Sequence, residues 1–172
     1  MNIRYATPAD AGKLLAIYAP YVVHTAITFE YDVPSVTEFR DRIETTLKDW
    51  PYLVVEDDAG EPAGYCYVHS YRPRKAYERS VETSIYVRRD AHGAGYGRML
   101  YESLEKELKA KGIRNLVAVI GTTRDPEDPY LTNASVYFHE KMGYTHCGTV
   151  PDIGFKFGRW YDSTTMQKII LP

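Results

Sequence analysis

The sequence predicts an α/β domain whose central sheet is mixed and mostly antiparallel, flanked by helices. Three observations predict it. Strand-like and helix-like segments interleave along the chain instead of falling into separate blocks. Two early strand-like runs, "YLVVED" (52–57) and "AGYCYVHSY" (63–71), are joined by the turn "DAGEP", which reads as a hairpin and hence as antiparallel neighbours. Further on, "SVETSIYV" (80–87), a long helical segment and the apolar run "IRNLVAVIG" (113–121) alternate as strand, helix and strand.

Taken in order, "NIRYA" is a short first strand. Thr7 then caps a helix, with Pro8 at its first position and Asp10 near its positive end. Leu14, Leu15, Ile17, Tyr18 and Tyr21 give that helix its apolar face. Ser35 followed by Glu38 is a capping box for a second helix, which buries Phe39, Ile43 and Leu47. The hairpin comes next, then the loop "RPRKAYER", the strand 80–87 and a turn holding Gly93, Gly95 and Gly97. A helix runs from Tyr96 to Lys111 and stops at Gly112. After the strand 113–121, "TTRDPEDPYLT" is a long polar loop. A short helix spans Asn133 to Met142, and two strands close the chain around "YTHCGTV" and "STTMQKIIL". No repeat, low-complexity tract or linker divides the chain, and 172 residues suit one domain over 1–172 with a single core.

Composition narrows the function classes. A net charge of −2 offers no basic field for nucleic acid or an anionic membrane surface. Apolar runs such as "LVAVI" are far too short to cross a bilayer, and the N-terminus lacks a secretory pattern. Two cysteines, Cys66 and Cys147, make no disulfide framework, so a reducing cytoplasm is the expected location. The histidines have no ligand spacing, and no metal site is expected.

The glycine turn is the first feature with chemistry in it. Glycines before a helix let the backbone approach an anion while the free N–H groups of the first helical turn point at it. A P-loop would end in Gly-Lys-Ser/Thr, whereas this turn ends Gly97-Arg98-Met99. A dinucleotide fold wants G-x-G-x-x-G and an acid ending the next strand; here the glycines are evenly spaced and "LVAVIG" has no carboxylate. A second feature is Glu82, a carboxylate inside a β-branched strand run, where it is costly unless a pocket or a partner solvates it.

The turn resembles the Q/R-x-x-G-x-G/A motif of the GCN5-related N-acetyltransferases (GNAT), which binds the coenzyme A pyrophosphate. The six positions are His92, Gly93, Ala94, Gly95, Tyr96 and Gly97, with histidine in place of Gln or Arg. "NASVYFHEKMGY" (133–144) is similar to a second element of that family. "AYERSVETSIYV", "LVAVIG", "HEKMGY" and "GFKFGRWYD" together resemble the subgroup acting on phosphinothricin and methionine sulfoximine or sulfone.

That resemblance implies a GNAT-like fold and an enzyme that uses acetyl-CoA and no metal. The acceptor it implies is the α-amine of a small amino-acid analogue, acetylated by direct transfer. Glu82 falls at the position of the subgroup's general base. His139 occupies a position where many relatives have a tyrosine that protonates the leaving thiolate, and imidazole suits either a donor or an orienting group. The backbone of Ile85, Tyr86 and Val87 would meet the pantetheine amides, Gly93 to Arg98 the pyrophosphate, and Asn133 the coenzyme arm. On the acceptor side, "RKAY" (Arg74, Lys75, Ala76, Tyr77) matches the subgroup's segment before the catalytic strand. Its two cations could neutralise a carboxylate, Arg74 as a bidentate partner. Phe29 and Tyr31 could wall a side-chain pocket. The segment 154–162 points to a homodimer contact. Two other readings stay open: acetylation of another small amine or a peptide N-terminus, and a coenzyme-binding sensor without turnover.

Overall fold

The computed structural model of the chain describes residues 2–170. Seven strands form one sheet: β1 (Asn2–Tyr5), β2 (Tyr52–Glu56), β3 (Pro62–Ser70), β4 (Ser80–Val87), β5 (Asn115–Thr122), β6 (Thr145–Lys156) and β7 (Arg159–Ile169). Their spatial order is β1-β2-β3-β4-β5-β7-β6, and only β4 and β5 run parallel. Four helices accompany them: α1 (Ala11–His24), α2 (Val36–Leu47), α3 (Tyr96–Ala110) and α4 (Ala134–Lys141). The mixed, mostly antiparallel sheet is as the sequence predicts.

Local chemistry accounts for the helix starts. One 3-10 turn, Pro8–Asp10, leads into α1; the Thr7 amide donates to Asp10 Oδ2 at 2.7 Å. Arg4 forks onto the same carboxylate with two bonds of 2.8 Å and holds its pKa down to about 2. At α2 the box is reciprocal: the Ser35 amide donates to Glu38 Oε2 at 2.6 Å, and the Glu38 amide to Ser35 Oγ at 3.2 Å.

Alternation along the strands gives the sheet two apolar faces. On one, Leu53, Val55, Cys66, Val68 and Val81 pack against Leu100, Tyr101, Leu104 and Leu108, the apolar stripe of α3. On the other, Tyr52, Val54 and Tyr65 pack under α1 and α2, with Tyr67 and Tyr86 at the margin. Full burial of each large apolar side chain stabilises the fold by roughly 1.5–3 kcal/mol. Much of the tyrosine content lies here, with the Tyr52 and Tyr67 rings stacked 4.8 Å apart.

The closing hairpin differs from expectation. The sequence places the sixth strand around residues 144–150. Instead β6 continues to Lys156 through an irregularity between Val150 and Gly154. Asp152 takes a positive φ of 49°, and its amide donates to Asp162 Oδ1 at 2.9 Å, so the extra residues stay tied to β7. Phe157 and Gly158 (φ 53° and 73°) then make the tight turn, both left-handed as a two-residue hairpin of this type requires. Leu171, the last residue of the predicted closing strand, lies outside the described residues.

Candidate active site

Where β4 and β5 part company is the centre of the molecule's chemistry. They pair only at Ser80–Asn115, Val81–Leu116 and Glu82–Val117. Beyond Glu82 they splay, and a narrow cleft of about 70 Å³ opens between Thr83–Tyr86 on one strand and Ala118–Gly121 on the other. Residues 83–87 still pair with β3, but their β5-facing edge has no strand partner among the described residues. Unpaired edge amides are ready partners for an extended ligand carrying its own amides. Ile85, Tyr86 and Val87 lie on this edge, although the Val87 carbonyl already accepts from the Tyr21 hydroxyl.

The cleft widens towards the C-terminal end of β4 into a groove of about 470 Å³. Its wall includes His92, Gly93, Gly95, Tyr96, Gly97 and Arg98 on one side and Ala134, Ser135 and Phe138 of α4 on the other. Ile27, Ile85 and Ser135 line both hollows, so groove and cleft are continuous. Gly93 and Gly95 have φ of 84° and 89°, a conformation costly for any L side chain. Gly95 is the N-cap of α3 and Ala94 lies exposed between the two glycines, so backbone rather than side chains faces the groove. Gly97 serves a separate need: a Cβ there would lie 3.1 Å from the Phe138 ring, so its absence lets α3 and α4 meet. His92, the departure from the glycine-turn motif, is within 2.8 Å of the Tyr21 hydroxyl and 3.2 Å of the Val87 carbonyl. The Tyr21 proton goes to Val87, so His92 Nε2 is the donor and ties the turn to α1.

His139 lines the cleft but is only 3% exposed. Its Nδ1 lies 2.7 Å from the Ser135 carbonyl, which can only accept, so the ring proton sits on Nδ1. Nε2 is then an acceptor, 2.9 Å from the Tyr101 hydroxyl, which also lies 3.3 Å from Thr83 Oγ1. Burial holds the imidazole below its ordinary pKa, opposed in part by the Ser135 bond. The ring is therefore neutral, with both nitrogens engaged. Asn133 also has a firm local partner: its amide accepts from the Thr123 N–H at 3.1 Å and donates to the Thr123 carbonyl at 3.0 Å. That clip joins the start of α4 to the end of β5.

Glu82 projects from the opposite side of β4 to Val81 and Thr83, towards the α1–α2 face, and is partly exposed. Ser84 and its cross-strand partner Tyr67 follow it, and burial raises the Tyr67 pKa. A hollow of about 450 Å³ lies under α2 beside them, lined by Tyr18, Phe39, Arg42, Tyr52, Tyr65 and Tyr67. Arg74, Lys75, Ala76 and Tyr77 are all exposed; residues 75–77 form one 3-10 turn. Their loop joins β3 to β4 at the end where Ser70 pairs with Val81, next to Glu82.

Phe29 is half-buried. Its ring drops into a cradle where a Cβ on Gly154 would come within 2.4 Å and one on Gly121 within 3.4 Å. It packs there with Ala26, Leu131 and Tyr161, and so anchors its loop. Tyr31, further along, is exposed and donates to the Phe155 carbonyl. Sequence reading also missed Lys156, whose Nζ donates to the carbonyls of Val22, Thr25 and Thr28 at 2.8, 2.9 and 2.8 Å. It missed Tyr101 and His69 too; neither carries a local motif. Among the described residues no group of three His, Cys, Asp or Glu side chains could hold a metal ion. No helix among them is long and apolar enough to cross a membrane.

A parallel strand pair that opens into a cleft, with a glycine-turned helix N-terminus at its mouth and a carboxylate at its vertex, defines an acyl-coenzyme A-dependent transferase. The chain belongs to the GNAT acetyltransferases: the family described as "Acetyltransferase (GNAT) domain" matches residues 3–165. It is 36% identical over 168 residues to a phosphinothricin N-acetyltransferase of Alcaligenes faecalis, covering 97% of this chain and 81% of that one. It is 34% identical over 172 residues to an L-methionine sulfoximine/L-methionine sulfone acetyltransferase of Pseudomonas aeruginosa, covering 99% and 95%. A solved phosphinothricin acetyltransferase of Sinorhizobium meliloti in complex with AcCoA superposes with a TM-score of 0.87 at 34% identity, covering 98% and 88%.

Proposed function

We propose that this chain transfers the acetyl group of acetyl-CoA to the α-amine of a small amino-acid analogue. Methionine sulfoximine, methionine sulfone and phosphinothricin are the first acceptors to test. One observation carries the reading: Glu82 is the last paired residue before β4 and β5 part, so the only carboxylate on β4 stands at the vertex of the coenzyme cleft. The pyrophosphate would lie against Gly93–Arg98, the pantetheine arm along the free edge of Ile85–Val87, and the thioester near the vertex.

The acceptor arrives as an ammonium and must lose a proton before its nitrogen can attack. Glu82 takes that proton, directly or through one water. Attack forms the N–C bond, the carbonyl oxygen gathers charge facing unpaired backbone amides, and the C–S bond then breaks, the coenzyme A thiolate leaving as the free thiol with the nitrogen's second proton. His139 fits the orienting role better than the donor role, because its one proton is held by Ser135 and burial disfavours a second. It fixes the Tyr101 hydroxyl at the cleft floor. Direct transfer is favoured over a covalent enzyme intermediate: burial pushes the Cys66 thiol well up, and Cys147 lies on β6, away from the cleft lining. Arg74 and Lys75, exposed beside the vertex, are the cations placed to meet the acceptor's carboxylate.

We further propose that this chain acts as one domain in the cytoplasm, and as a homodimer through the exposed Ile153, Phe155 and Trp160 of its closing hairpin. Thiol release from acetyl-CoA, screened against amino acids, their sulfone, sulfoximine and phosphinate analogues, amines and peptides, tests the acceptor class. Turnover confined to peptides or to amines without a carboxylate would redirect it. In the same assay Glu82→Gln, which keeps shape but not basicity, should lose roughly 10²- to 10⁴-fold in kcat with coenzyme binding intact. Part of that loss should return at high pH, where free amine is abundant. Rates within a few-fold of wild type and a matching pH profile would remove Glu82 as the base.

A further inference from the structure

The vertex carboxylate has a neighbour that no motif announces. In the β3–β4 register His69 sits directly opposite Glu82, and its Nε2 lies 3.6 Å from Glu82 Oε1. Among the described residues Glu82 makes no other ion pair within 4.0 Å, whereas the other close carboxylate–cation pairs involve Arg or Lys. The second ring nitrogen is also aimed: Nδ1 lies 3.2 Å from the Ser70 carbonyl, which can only accept. With a proton on Nδ1 for the Ser70 carbonyl, Nε2 offers its lone pair to the Glu82 carboxyl group once that group is protonated. The His69 side chain is 51% exposed against 23% for Glu82, so the pair runs from the vertex out to solvent.

We propose that His69 is a positioning residue for Glu82 that also carries the acceptor's proton out to solvent. This rests on the reading of Glu82 as the base. The balance closes without a further reactant. The acceptor ammonium gives one proton to the Glu82 carboxylate; the amine then attacks the thioester carbon, the N–C bond forms as the C–S bond breaks, and the nitrogen's second proton leaves with the coenzyme A thiolate as the free thiol. The neutral Glu82 carboxyl passes that proton to the lone pair of His69 Nε2, which restores the carboxylate. The resulting imidazolium, its two N–H groups facing Glu82 and the Ser70 carbonyl, releases the proton to water or buffer. Imidazole suits this step because its ordinary titration lies nearest neutrality. A carboxyl group alone at the vertex would hold the proton against a product amide that cannot take it back. Glu82 on β4 faces the imidazole, and the loop 71–79 that follows β3 carries Arg72, Arg74, Lys75, Glu78 and Arg79.

The experiment compares His69→Ala, His69→Asn and Glu82→Gln for kcat and KM across pH, at saturating acetyl-CoA, with and without added free imidazole. For His69→Ala the expected result is a kcat loss of about tenfold, below the full range for acid–base assistance, with KM for acetyl-CoA unchanged. Added imidazole should restore most of the loss in His69→Ala and none in His69→Ala/Glu82→Gln. His69→Asn preserves a side-chain donor near the Ser70 carbonyl yet cannot shuttle, so it should behave as His69→Ala does. If His69→Asn keeps full kcat, or free imidazole changes nothing, the relay is overturned and His69 is an ordinary cross-strand residue. If Glu82→Gln itself turns over like wild type, the base assignment has failed instead, and the two failures are told apart.

Discussion

At the scale of single residues, the site is set by what backbones and protons can do. Gly95 illustrates the first. Its φ of 89° is held with nothing within 4 Å of where a Cβ would stand, so substitution there is penalised by strain, not by crowding. Left-handed backbone costs an L residue roughly 1–2 kcal/mol, which the loop would escape by moving its amides off the groove. Gly95→Ala should therefore weaken coenzyme A binding about tenfold, the equivalent of about 1.4 kcal/mol. Gly12, in α1 with the same open surroundings and no positive φ, is the control; Gly12→Ala should bind coenzyme A as wild type does. Titration calorimetry with coenzyme A reads both, and an unchanged affinity in folded Gly95→Ala would remove the glycine turn as the pyrophosphate cradle. Glu82 was legible as a misfit among β-branched residues. His69 was not, because its pairing with Glu82 depends on a register set across the loop 71–79, which no short turn signal fixes.

At the scale of elements, the closing hairpin is tied to the end of α1 and the loop after it. Lys156, near the end of β6, is 2% exposed and places its ammonium on three carbonyls at the C-terminal end of α1 and the loop after it. The negative end of a helix dipole favours a cation there. Phe29 fills the slot left by Gly121 and Gly154 on the same loop, so two contacts lock one segment. Lys156→Met keeps most of the volume but leaves three carbonyls without their donor. Buried unsatisfied acceptors cost about 1–3 kcal/mol each, partly relieved by water, so a loss of about 3 kcal/mol in unfolding free energy is expected. Denaturant melts measure it, and a change below about 0.5 kcal/mol, the range of ordinary surface substitutions, would show that the latch does little. None of this was readable in advance. Capping boxes, the helix stripe of α3 and the first hairpin follow from contacts between near neighbours and appear in the sequence as patterns. Lys156 and Val22 are joined only once the sheet has formed, and a lone lysine before an aromatic carries no local signal. The extension of β6 was hidden for a related reason: Pro151 and Gly154 look like a loop until Asp162 supplies the partner for the Asp152 amide.

At the scale of the whole molecule, the sheet ends on β6, and its hairpin with β7 bears an apolar surface that the chain itself leaves open. Val150, Ile153, Phe155 and Trp160 are 53%, 58%, 45% and 60% exposed, and the Phe155 and Trp160 rings lie 5.0 Å apart across the strands. A cluster of this kind on one edge of a sheet is what a partner surface needs at its centre. The same hairpin supplies Lys156 and Gly154, which hold the loop 25–31, so a second copy seated on it would stiffen that loop, whose Ile27 lines the cleft. The prediction has two linked parts. Sedimentation at micromolar concentration should give a dimer, and Trp160→Glu should shift it towards monomer while leaving the α1–α2 end untouched. Because association stabilises only the folded state, the wild-type melting temperature should rise with protein concentration and that of Trp160→Glu should not. The monomeric variant should raise KM for the amino-acid acceptor, because the hairpin tip braces the loop 25–31, whose Ile27 lines the cleft. A wild type that sediments as a monomer, or a Trp160→Glu variant with unchanged mass and unchanged acceptor KM, would separate the hairpin's apolar surface from assembly and leave the site to work within one chain.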